Sequence, residues 1–158
     1  MRKAVAVVTG FLGSGKTTLL NALLRRGDLA GTLIVVNEFG EIGLDHELVV
    51  GAQDGVVLLS NGCLCCAVRS DLIATLRNLA MGPMMRRVDR VVIETTGIAD
   101  PGGIVQALVT DPFTASRFRL ASVVATFDLV DGRRTFTAHR EARLQLIEAD
   151  VVVVTKAD

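Results

Sequence analysis

Six short runs of apolar, largely β-branched residues punctuate the chain: Ala4–Val8, Thr32–Val36, Val56–Leu59, Val88–Ile93, Leu120–Thr126 and Val151–Val154. Their hydrophobicity is continuous rather than alternating, so strands buried on both faces are expected, as in a mostly parallel sheet between helix layers. Helical spacing fills the intervals at Lys16–Arg26, Ala67–Ala80, Gly102–Val109 and Ala138–Glu148. In the second, Val68, Leu72, Ile73, Leu76 and Leu79 recur every three or four positions, with polar Arg69, Asp71, Arg77 and Asn78 between them. Gly82-Pro83 and Asp111-Pro112 are breaks. The pattern predicts a doubly wound α/β domain, with helices on both faces of the sheet.

Composition narrows the partners. The 158 residues suit one domain with a substantial core. Seventeen basic and seventeen acidic side chains balance, so no net field attracts nucleic acid or an anionic membrane. The absence of Trp and Tyr also removes stacking platforms for single strands. No apolar run reaches membrane-spanning length. Met1-Arg2-Lys3 leads directly into the first strand without a cleavage site, so no secretory signal is expected. Three cysteines, two of them adjacent, make a poor disulfide framework. These features predict a cytoplasmic protein.

Gly10-Phe11-Leu12-Gly13-Ser14-Gly15-Lys16-Thr17 satisfies the P-loop pattern G-x-x-x-x-G-K-[ST] between the first strand and first helix. Gly13, Ser14 and Gly15 would turn backbone N–H groups toward phosphate oxygens, aided by the positive helix N-terminus. Lys16 is expected at the β and γ phosphates, the Thr17 hydroxyl on Mg²⁺ and the Thr18 hydroxyl at the α-phosphate. P-loop proteins hold Mg²⁺ a second time through an acid at a buried strand end. Glu94, closing Val91-Val92-Ile93, fills that place, and with Lys16 it forms the expected catalytic pair. Gly97, three residues on, is expected to offer its N–H to the γ-phosphate and to hinge a switch over Thr95 to Asp100.

The last strand runs into Thr155-Lys156-Ala157-Asp158. A strand followed by N-K-x-D reads guanine in many GTPases: the Asp accepts from the ring N1–H and exocyclic amine, and the Lys stem covers the base. Lys156 and Asp158 match, whereas Thr155 stands in place of Asn. Ser60-Asn61-Gly62-Cys63-Leu64-Cys65-Cys66 sets three thiols in one turn. Adjacent cysteines pair only with strain, so a soft or borderline ion such as Zn²⁺ is the better explanation. A fourth ligand is sought in the acidic stretch Asn37 to His46, which contains Glu38, Glu41 and Asp45. His46 reads as a surface residue, His139 has no partner visible in the sequence, and Arg86-Arg87 and Arg133-Arg134 read as solvated loop faces.

Taken together, the P-loop with its flanking Thr9 and Thr18, Asn37-Glu38-Phe39-Gly40-Glu41, the Cys63-Leu64-Cys65-Cys66 turn, Glu94-Thr95-Thr96-Gly97 with Ala99-Asp100-Pro101, and Ala149-Asp150 with Lys156-Ala157-Asp158 resemble the CobW-type GTPases. These are metallochaperones related to the hydrogenase and urease nickel-insertion GTPases. The resemblance covers the whole chain in family order. It implies GTP hydrolysis coupled to delivery of a divalent metal, most often Zn²⁺ or Co²⁺, to a client metalloprotein. It also implies that Cys63, Cys65 and Cys66 are the cargo site, with Glu38 as helper. Family members continue past the position of Asp158, so residues 1–158 read as a P-loop GTPase domain cut after the guanine motif, without the family's C-terminal domain. No Gln follows Gly97 to orient water, so slow intrinsic hydrolysis is expected, with a client or a homodimer as the stimulus. Two alternatives stay open: a metal sensor or store whose affinity nucleotide tunes, and a P-loop kinase for a small metabolite.

Overall fold

The structure is a computed structural model that describes residues 1–36, 56–58 and 67–157. Among these, six strands form one sheet: β1 (Lys3–Gly10), β2 (Thr32–Val36), β3 (Val56–Leu58), β4 (Arg90–Glu94), β5 (Phe118–Asp128) and β6 (Val151–Thr155). Their order is β3-β2-β4-β1-β5-β6, and every neighbouring pair is parallel. The helices are α1 (Lys16–Arg25), α2 (Ala67–Met81), α3 (Pro101–Thr110), α4 (Pro112–Arg117), α5 (Gly132–Ala138) and α6 (Arg140–Ile147), with a 3₁₀ turn at Pro83–Arg86.

Strand pleating sorts the apolar runs into two cores, because successive side chains face opposite sides of a sheet. Val5, Val7, Leu33, Val35, Val91 and Ile93 point one way, onto Leu72 and Leu76 of α2 and Ile104 and Leu108 of α3. Val8, Ile34, Val36 and Val92 point the other way, onto Leu20 of α1. The expected α/β P-loop architecture is therefore present, with both faces covered over the central strands.

Differences from the sequence reading lie at boundaries and short helices. β4 begins at Arg90 rather than Val88, and β5 extends to Phe118 and Asp128. The expected Ala138–Glu148 helix is two pieces broken at His139, whose extended backbone (φ −119°, ψ 127°) cannot continue a helix. Arg133 and Arg134 thus belong to α5, and Arg134 pairs with Asp131 across an exposed 3.1 Å contact. Asp111-Pro112 is less a break than a start. Asp111 accepts from the Thr114 N–H at 2.9 Å and caps α4, with Pro112 in the first turn. β6 lies at the sheet edge, where Val151, Val152 and Val154 are exposed instead of covered.

Candidate functional site

In parallel α/β sheets, ligands bind beyond the carboxyl ends of the strands, and the chemistry-bearing residues gather there. β1 ends at Gly10, and the P-loop turns back through a Ser14 N–H bond to the Phe11 carbonyl at 3.1 Å. Gly15 caps α1 in the left-handed region (φ 91°), a conformation that a side chain would disfavour. Lys16 is buried, and its ammonium donates to the carbonyls of Gly10 at 2.9 Å and Phe11 at 3.3 Å. The loop is thereby held closed around its own cation, which stands next to where phosphates are expected. Thr18 is exposed.

Register sets the acid. β4 pairs with β1 so that Glu94 lies opposite Val8, and with β2 so that it lies opposite Val36. Glu94 is fully buried at the end of β4, and its Oε1 accepts from the Thr17 hydroxyl at 2.8 Å. Two oxygens on one edge of an octahedral Mg²⁺ shell, with bonds near 2.0–2.1 Å, would lie about 2.9 Å apart. Thr17 and Glu94 therefore fit the ion the motif implies in both donor type and spacing.

The segment after Glu94 is tied at nearly every residue. Thr95 donates its N–H to the Val8 carbonyl (2.9 Å) and its hydroxyl to Thr9 Oγ1 (3.0 Å). The Ala99 N–H closes a turn on the Thr96 carbonyl (3.1 Å), and Asp100 caps α3 by accepting from the Gly102 N–H (2.9 Å). Gly97 lies hard against the P-loop: a Cβ there would be 2.7 Å from the Leu12 amide nitrogen. The structure thus sets Gly97 beside Leu12 of the P-loop.

At the other end, Thr155 explains its own departure from Asn. Its hydroxyl donates to the Ser14 carbonyl at 2.7 Å, tying the end of β6 to the P-loop. Lys156 takes positive φ (53°) and pairs with Asp128 at 2.6 Å. Asp128 also accepts from the Val130 and Asp131 N–H groups at 2.8 and 3.2 Å. The bond from Lys156, followed by those backbone donors, holds its carboxyl below the ordinary value of 3.8. Sequence reasoning missed Asp128, although an acid closing an apolar strand next to the P-loop strand is the same signal that found Glu94.

A cavity of about 600 Å³ is lined by Phe11, Leu12, Thr126, Asp128, Phe136 and Gln145, among others. His139, without a partner in the sequence, stacks on Phe11 with ring centroids 4.6 Å apart. Gln145 was also missed; the available signal was a polar residue three positions from buried Ala142 on the covered face of α6. Glu38, Cys63, Cys65, Cys66 and Asp158, with Glu41, Asp45 and His46, lie outside the described residues. Among the described residues, no group of three or more His, Cys, Asp or Glu side chains is placed to hold a metal, and no helix is long and apolar enough to cross a membrane.

The profile of the CobW/HypB/UreG nucleotide-binding domain matches residues 4–158. The chain belongs to this family. Among CobW-family relatives, it is 36% identical to the zinc chaperone YjiA of Escherichia coli over 98% of its length and 49% of that protein's. It is 34% identical to the zinc-regulated GTPase metalloprotein activator 1 of Schizosaccharomyces pombe, over 98% of the chain and 39% of the relative. The crystal structure of Zn(II)-bound YjiA GTPase from E. coli superposes with a TM-score of 0.67 at 30% identity, covering 99% of this chain and 50% of that one. The hydrogenase maturation factor HypB of Archaeoglobus fulgidus shares the fold (TM-score 0.64, 19% identity, 96% of this chain and 65% of that one). The chain spans about half the length, or less, of the curated relatives it matches.

Proposed function

We propose that this chain binds and hydrolyses GTP, and couples nucleotide state to holding and handing on a divalent metal, zinc or cobalt, to a client metalloprotein in the cytoplasm. The single observation that carries the nucleotide half is the 2.8 Å contact between Thr17 and buried Glu94 at the mouth of the P-loop. Kinship with proteins named as zinc chaperones and a zinc-regulated GTPase activator supports the metal half.

In this reading, the triphosphate lies along the P-loop N–H groups, and Lys16 leaves the Gly10 and Phe11 carbonyls for the β and γ phosphates. Thr17 and Glu94 would hold Mg²⁺, which when bound would neutralise charge on the transferring phosphoryl group. Gly97 meets the γ-phosphate through its N–H. Lys156 swings from Asp128 to cover the guanine, which Asp158 reads. Cys63, Cys65 and Cys66, with Glu38, hold the metal as cargo, and their place between β2 and β4 in the chain lets the γ-phosphate alter their geometry. Glu38, Glu41 and Asp45 are the candidates for orienting the attacking water. A client protein or a second copy of the chain then raises a slow intrinsic rate.

The test is nucleotide competition with and without Zn²⁺ or Co²⁺, on the wild type and on Cys65→Ala. The expected result is that excess ATP fails to displace GTP, and that metal changes GTP turnover in the wild type but not in Cys65→Ala. Free displacement by ATP together with indifference to metal overturns the reading. Phosphate transfer to an acceptor would indicate a kinase, and stoichiometric metal binding without client-stimulated turnover would indicate a store.

A further inference from the structure

Gln145 is almost fully buried (1% exposed) in α6, at the wall of the cavity described above. Its amide nitrogen donates to two backbone carbonyls of another segment, Gly97 at 3.1 Å and Ala99 at 3.0 Å. Both partners are acceptors, so the side chain can be oriented in only one way. Its Oε1 is buried without a partner among the described residues, and burying a lone polar atom is unfavourable unless something else is gained. A leucine would fill the same space without that cost. The gain is visible at the other end of the side chain, in the clamp on the turn after Glu94.

We propose that Gln145 is a positioning residue that holds the Gly97–Ala99 turn against the P-loop, so that the Gly97 N–H is set in advance for the γ-phosphate of a bound nucleoside triphosphate. The proposal rests on the nucleotide reading above, but concerns the terminal phosphate and not the base. Other ties of this segment come from β1, from within the segment and from the first turn of α3: Thr95 to β1, Thr96 to Ala99, Asp100 to Gly102. Gln145 supplies two ties from α6, the helix that leads directly into β6. Since β6 ends in Thr155 and Lys156, one helix–strand unit fixes both the turn that meets the γ-phosphate and the residues at the base end. A diphosphate has nothing for the Gly97 N–H to contact, so the clamp should matter for triphosphate alone.

The experiment measures GDP and GTPγS affinity and single-turnover hydrolysis on the full-length protein, comparing the wild type with Gln145→Leu and Gln145→Glu. Gln145→Leu is expected to lose about tenfold in GTPγS affinity while GDP affinity stays within about twofold, with slower hydrolysis. An ionised carboxylate cannot donate, so Gln145→Glu should show the same loss at pH 8. It should recover part of it, relative to the wild type, as the pH falls and the buried carboxyl takes up a proton and regains one donor. Equal weakening of both nucleotides, no change in either, or a loss in Gln145→Glu that is flat with pH overturns the proposal. Should the wild type prefer ATP, the guanine reading fails and the clamp is tested with ADP against ATPγS by the same ratio.

Discussion

Replacing Thr155 by Val isolates one hydroxyl. The valine keeps the methyl that packs over Gly15, where the Thr155 Cγ2 would stand 3.2 Å from a Cβ, and it suits a strand end. What disappears is the 2.7 Å bond to the Ser14 carbonyl; the longer approach to the Phe127 carbonyl, at 3.3 Å, competes for the same single proton. A neutral hydrogen bond is worth about 1 kcal/mol net, and somewhat more when it leaves a half-buried carbonyl unpaired. In a chain of this size that corresponds to a melting temperature lower by roughly 2–4 °C. The bond also holds the P-loop to β6 before nucleotide arrives, so GDP affinity should fall by up to about fivefold, the same free energy expressed in binding. Thermal unfolding and GDP titration on Thr155→Val and Thr155→Ser read both effects, with the serine close to wild type because it retains the donor. Wild-type melting and binding in Thr155→Val, or a serine as impaired as the valine, would refute the claim that this hydroxyl ties the base end to the phosphate end.

Three further outcomes follow from the same geometry. Gly97→Ala pushes a methyl into the Leu12 backbone, 2.7 Å from its nitrogen; it should destabilise by about 1–3 kcal/mol and weaken GTPγS more than GDP, read by unfolding and titration. Thr17→Val should lower the Mg²⁺ dependence of nucleotide binding and slow hydrolysis by roughly tenfold or more, since it removes an oxygen from beside Glu94. The Asp128 carboxyl titrates below 3.8 in the folded protein, so its contribution to stability is present above that pH and lost as the pH falls further; Asp128→Asn should flatten that part of an acid-unfolding profile.

What the sequence disclosed was set by how local each signal is. The P-loop and Glu94 were legible because they combine a residue pattern with a strand end, and the strand end is itself written in the hydrophobic run. The double core was legible because pleating converts a continuous apolar run into two faces without further information. The break at His139 was not. Nothing in the residues before Arg140 marks extended backbone at that point, and the three- and four-residue spacing of Ala138, Ala142, Gln145 and Leu146 runs across His139 when read alone. The ties made by Thr155 and Asp128 were illegible for another reason, since each joins positions brought together only by strand order, β6 beside β5 beside β1.

That strand order also explains why a threonine can stand where asparagine is usual. The position needs a donor that reaches a P-loop carbonyl from the end of β6, and a hydroxyl on a β-branched side chain supplies it at 2.7 Å. In the proposed reading, guanine discrimination rests on the next residues, where Asp128 holds Lys156 in a left-handed backbone conformation unfavourable to a non-glycine residue. Such a conformation persists only where surrounding contacts over-determine it. Here the Lys156 ammonium reaches Asp128 at the end of β5, and the Leu129 N–H returns to the Thr155 carbonyl at 3.0 Å. A base arriving at this site would draw Lys156 from Asp128, while the Thr155 bond keeps the P-loop in place. Through Gln145, the same helix–strand unit reaches the turn at Gly97. In the proposed reading, base recognition and γ-phosphate sensing therefore share the α6–β6 unit, through which nucleotide identity and nucleotide state can be read together.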